Sequence, residues 1–160
     1  MAGQVVGAAV TQESATQLFT LGTRHNDEAG NRYIYLKNAA SACTANYIYY
    51  YDPDTYTIIS GGIETAADDG AAIPIVVAPL ATTASYYGWF FCGPGRHQFT
   101  SEGVVAAVSG VRVSGTAGQI STDSADPLIH GVMCNDGIAA STTAGYCTAS
   151  NEMYACDSYA

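Results

Sequence analysis

Three histidines, His25, His97 and His130, and five cysteines, Cys43, Cys92, Cys134, Cys147 and Cys156, are the side chains of this 160-residue sequence best suited to chemistry beyond packing. A histidine beside a hydroxyl or thiol and a carboxylate can form a nucleophile–base pair, but the Gly-x-Ser-x-Gly elbow that presents such a nucleophile is absent. HExxH and the GK[ST] phosphate loop are absent too. His97, just past an aromatic run, and His130, inside an apolar run, therefore read as surface or satisfied core histidines. The set His130, Cys134, Cys147 and Cys156 offers soft ligands for zinc, yet its spacings do not match the paired knuckles of structural zinc sites. Asp52 with Asp54, and Asp68 with Asp69, could hold calcium only weakly, because the full loop spacing is missing. No catalytic, metal or cofactor site is expected, and the chain reads as a non-enzyme.

The cysteines are odd in number and contain no CxxC pair, so they form no readable disulfide framework. In a reducing cytosol buried free thiols are the expectation. The candidate disulfide is Cys147 to Cys156, closing the last loop after release from the cell.

Partners are bounded by charge. Fourteen acidic and five basic side chains give a net charge of −9, and Arg112 is the only cation after His97. Nucleic acid needs lysines and arginines to replace phosphate counterions, so it is excluded as a partner. No stretch reaches the ~18 apolar residues of a membrane span, and the apolar start has no basic residues before it. A soluble, non-secreted product is expected. Charged residues are only 12% of the chain, which leaves little to solvate a large free surface and favours life in an assembly.

The elements that must position these residues are strands. Glycine and tyrosine are abundant while strong helix formers are scarce. The organising stretch is Tyr86-Tyr87-Gly88-Trp89-Phe90-Phe91-Cys92, ended by Gly93-Pro94-Gly95. In a strand Tyr87, Trp89 and Phe91 line one face and Tyr86, Phe90 and Cys92 the other, so both faces are apolar and both must be covered. Tyr86, Tyr87, Trp89, Phe90 and Phe91 are thus candidates for core or subunit interface, where Trp and Tyr are enriched. Gly88 would allow a close approach.

Residues 1–20 lack a helical stripe and read as an extended arm, disordered or ordered by a neighbour, ahead of a single β domain over residues 21–160. Gln4, Val5, Val6, Val10, Leu18 and Phe19 are its candidate contacts. A polar turn at residues 26–31 predicts two flanking strands, and Asp52-Pro53-Asp54 predicts a hairpin. Tyr47, Tyr49 and Tyr51 would share one face, as a half-buried ladder or a contact surface. Pro74 puts its strand at an edge or at a strand start. In all, about eight to ten short strands predict an all-β barrel or sandwich.

Leu21-Gly22-Thr23 followed by Gly30-Asn31-Arg32-Tyr33-Ile34-Tyr35-Leu36-Lys37 resembles the "LGT … GN.Y.Y.K" opening of small head proteins of tailed bacteriophages. Tyr87-Gly88-Trp89, with Gly93 beyond it, is similar to their "YGW(V)…G" strand, and His130-Gly131-Val132 looks like their closing strand. The similarity runs loosely from Leu21 to Val132. Phe90-Phe91-Cys92 and the cysteine-containing tail depart from the Val/Gln-rich pattern. The resemblance implies a capsid decoration, or cement, protein: a structural virion component, often trimeric, bound to major capsid protein on the outer surface of the head and made in the host cytoplasm. The alternative is a carbohydrate-binding β-module, such as a phage adhesin or lectin-like domain, with exposed tyrosines stacked on pyranose rings. A hydrolase would need one histidine within reach of both a carboxylate and a Ser or Cys.

Overall fold

The computed structural model describes residues 9–59, 73–114, 116, 118–123, 128–139 and 144–156. Within them, β-branched and aromatic runs cut by glycine and Asx turns make eleven strands and no helix. β1 (Arg24–Asn26) and β2 (Arg32–Lys37) pair as the hairpin that the polar turn predicts, with Asn26 opposite Arg32. Asp27 closes that turn by accepting from the backbone N–H groups of Ala29 and Asn31, and Gly30 supplies the left-handed φ of 84°. β3 (Ile48–Asp52) and β4 (Thr57–Ile59) form the second expected hairpin. There Asp52 accepts from Asp54 N at 2.8 Å and from the Thr55 hydroxyl at 2.9 Å. Those hydrogen bonds hold its carboxyl below the ordinary aspartate range, so the Asp52–Asp54 pair is a turn that satisfies itself. Asp68 and Asp69 lie outside the described residues.

β5 (Ile73–Val77) and β6 (Tyr87–Phe91) complete a closed five-strand barrel in which β2 meets β4 and β6, β4 meets β3, β3 meets β5, and β5 meets β6. Alternation along the strands sorts the side chains. Ile34, Leu36, Tyr51, Ile58, Val76, Phe90 and Cys92 form a buried cluster inside the barrel. Tyr33, Tyr35, Ile48, Tyr50, Ile75, Val77, Trp89 and Phe91 lie on its outer wall and belong to a second cluster.

A further layer covers that wall, made of β7 (Gly95–Thr100), β8 (Ser109–Val113), β9 (Ile120–Ser121), β10 (Leu128–Cys134) and β11 (Ala144–Cys156). β11 is its spine, pairing with β7, β10 and β5. Phe99, Val111, Ile120, Ile129, Val132 and Met153 pack from this layer onto the barrel wall. β5 serves both layers, with Ile73 and Pro74 against β11 and Ile75 to Val77 against β3. Pro74 therefore sits at a strand start and not at an edge.

Between His130 and Val132 the ladder slips, so that Tyr154 faces the former and Ala149 the latter. Residues 150–153 of β11 bow out to the barrel, where Met153 N donates to Cys92 O at 3.1 Å and Glu152 pairs with Arg24 and Arg32. This bow fixes Gly93, which has φ 71°, since a Cβ there would lie 2.3 Å from Asn151 O. Gly88 differs from the expectation: a Cβ on it would meet Thr82 at an ordinary 3.8 Å, so no close approach requires glycine. The tyrosine ladder differs too. Tyr51 lies within the barrel and Tyr49 packs against the same cluster, whereas Tyr47 lies ahead of β3 and accepts from Gln119 Nε2 at 3.1 Å.

Candidate functional site

Of the two candidate groups read from the sequence, the aromatic strand and the arm, the structure joins parts of both. Ser14 and Tyr87 exchange backbone hydrogen bonds of 3.0 and 2.8 Å, making the arm a one-rung extension beside β6. Just before it, the Glu13 carboxylate accepts from the Thr83 backbone N–H and, at 2.8 Å, from the Thr83 hydroxyl. Farther on, Leu18 N donates to the Tyr35 hydroxyl at 3.1 Å. Phe19 then packs edge-on to Tyr35 and tilted against Trp89, each at 5.2 Å between ring centres. His25 adds a ring 5.7 Å from Trp89.

The arm is therefore not separate from the domain over its described length. Val10 and Phe19 pack against the core cluster, while Leu18 remains 55% exposed. Its neighbour is its own barrel, and residues 9–20 cover the part of the wall that the second layer leaves open. Gln4, Val5 and Val6 lie outside the described residues. Between arm and strand is an open pocket of about 50 Å³ lined by Gln12, Ser14, Leu18, Phe19, Tyr87 and Trp89, among others. That is small beside the ~300–1,000 Å³ of ordinary ligand sites.

The interface reading of the aromatic strand needs correction for its central residues. Trp89 is 3% exposed and Phe90 and Phe91 are fully buried, because the barrel interior takes one face and the interlayer core takes the other. Only Tyr86 and Tyr87 stay half-buried. The requirement that both faces be covered was sound, but the cover comes from this chain itself. The Glu13–Thr83 clamp carries no sequence signal, since its partners lie 70 residues apart.

The candidate disulfide is also overturned. Cys147 and Cys156 sit on one strand, opposite Cys134 and Leu128 respectively. Those partners are six residues apart on β10, roughly 20 Å at ~3.3 Å per residue, whereas bridged Cα atoms lie within ~7 Å. Cys43, Cys92, Cys134 and Cys147 are free and buried. Of the zinc set, Cys134 and Cys147 stand opposite each other, while His130 is stacked on Tyr154 at 4.8 Å. Among the described residues no group of three His, Cys, Asp or Glu side chains could hold a metal ion.

His97, Cys147 and Cys134 do lie in one row across β7, β11 and β10. Burial pushes the His97 imidazole down to about 4 against the opposing influence of Asp27, and its Nε2 is buried with no hydrogen-bond partner. The rings of Phe91 and Tyr33 are 5.0 and 6.5 Å away. Burial, and Cys134 beside it, push the Cys147 thiol up, the wrong direction for a nucleophile. The exposed tyrosines have one ring face occupied: Arg96 lies 4.4 Å over Tyr146, and His130 covers Tyr154. Among the described residues no helix is long and apolar enough to cross a membrane. No protein family's sequence profile matches the chain, and no curated protein matches it.

Proposed function

We propose that this chain is a non-enzymatic decoration protein of a tailed-bacteriophage head, binding the outer surface of the shell as a trimer and tying major capsid protein subunits together. The observation that carries this reading is that two of the three pieces of the sequence resemblance pair in space, while the third, His130-Gly131-Val132, lies on β10 of the roofing layer. Tyr33, Tyr35 and Lys37 of β2 stand opposite Phe91, Trp89 and Tyr87 of β6, and Gly22 N donates to Tyr35 O at 2.9 Å. Composition agrees, since a net charge of −9 is repelled by packaged DNA and suits the outer face of a shell. A trimer touching several capsid subunits would hold through avidity even where single contacts are weak.

The test is the solution mass by light scattering, followed by cosedimentation with heads that lack the protein. A trimer saturating the heads in a fixed ratio is the expected result; a monomer that ignores them overturns the reading. Because residues 9–20 are tied to the barrel, the capsid contact of the arm is assigned to residues 2–8. Their deletion is expected to leave folding intact and weaken head binding about tenfold or more through lost avidity. Equal loading of the truncated chain would remove the arm from the mechanism.

A further inference from the structure

The register sets Cys134 of β10 directly opposite Cys147 of β11. Asn135 N donates to Tyr146 O at 3.2 Å, so the adjacent pair carries the ladder bond and Cys134/Cys147 is a non-hydrogen-bonded pair. In such a pair the Cα atoms are about 4.5 Å apart and both side chains leave the same face. Disulfides span Cα separations of roughly 4.4–6.8 Å. Both thiols are fully buried, both are free, and they lie within hydrogen-bonding reach of one another. The other cysteines have different surroundings. Cys43 donates to Asn38 Oδ1 at 2.8 Å, Cys92 approaches the carbonyls of Arg32 and Gly93, and Cys156 stands opposite Leu128.

We propose that Cys134 and Cys147 are an oxidation site, forming a cross-strand disulfide once the protein leaves a reducing compartment, with a low-molecular-weight disulfide such as oxidised glutathione as oxidant. One protein thiolate attacks a glutathione sulfur, giving a mixed disulfide and releasing one glutathione thiolate. The second protein thiolate attacks the protein sulfur of that mixed disulfide and releases the other glutathione. The protein loses two electrons and two protons, and both go to the two glutathione thiols. Because neither sulfur meets solvent in the closed fold, exchange proceeds during folding or through opening of the β10–β11 ladder. The bond would close the loop of residues 135–146 at the layer that roofs the barrel wall.

The test unfolds the full chain in denaturant, refolds it with oxidised and reduced glutathione, counts thiols, and maps the bond in a chymotryptic digest. Two of the five thiols are expected to disappear, the cross-linked peptides to contain Cys134 and Cys147, and the melting temperature to fall by about 5–10 °C when reductant is added. Native protein given the same oxidant should react far more slowly, and faster in sub-denaturing urea. Cys134→Ala and Cys147→Ala should each keep all four remaining thiols. A refolded chain that retains five thiols, a bond joining other cysteines, or an oxidised chain unable to regain its circular dichroism spectrum would overturn the proposal.

Discussion

His97 enters the interlayer region as a neutral imidazole, and this has a consequence for stability against pH. Its pKa falls from 6.5 to about 4 on folding, chiefly through burial. Above pH 6.5 neither state binds the proton and stability is full. Between 6.5 and 4 the unfolded chain gains a proton that the folded one lacks, so stability falls, and below 4 the loss is complete. Over the interval from pH 7.5 to 5 the loss is about 2 kcal/mol, at ~1.36 kcal/mol per pKa unit. Urea unfolding of the intact chain and of His97→Leu at those two pH values checks this: the variant should lose about 2 kcal/mol less. Equal losses would mean that the imidazole is solvated after all. Residue chemistry of this kind is poorly legible in sequence. That His97 is no free surface base follows from Phe91 and Tyr33, of which only Phe91 is close in the chain.

Among the elements, β6 was the most legible, because two apolar faces require a strand covered on both sides, although the sequence did not say whether this chain or another subunit supplies the cover. The hairpins at residues 26–31 and 52–57 were legible for a related reason, since Asp27 and Asp52 bond the backbone within their own turns. β11 was legible neither in its length nor in its pairing. The spacing of Cys147 and Cys156 suggested a closed loop, whereas residues 144–156 run on as one strand with a bow, and the true neighbour of Cys147 is fixed by β10. The seat of residues 9–20 on the barrel was not legible, because their partners, Thr83, Tyr87 and Trp89, are some 70 residues distant. Its packing makes a prediction. Phe19→Ala should cost about 2 kcal/mol, the value of losing one partly buried aromatic side chain, and deletion of residues 2–20 should cost more than deletion of 2–8. Denaturant midpoints of the three variants decide it. If Phe19→Ala matched the intact chain, the arm would contribute nothing to the fold.

For the molecule as a whole, one buried cluster includes residues of both barrel and roofing layer, and β5 is a member of both. Neither layer could keep its apolar face covered alone, so the two should unfold together. Thermal transitions followed by far- and near-ultraviolet circular dichroism are expected to coincide, and two separated steps would show independent units. Ion pairs add little to this. The Arg24 and Arg32 contacts to Glu152, and the 2.7 Å Arg96–Asp136 pair, are solvent-exposed and worth at most about 1 kcal/mol each. The seat of the arm has one more property. Trp89 is the only tryptophan of the chain, and the rings around it are Phe19 from the arm, Tyr35 from the barrel and His25 from the first strand. All indole emission therefore originates at that junction, and a partner that peels the arm from the barrel announces itself as a red shift without any added dye.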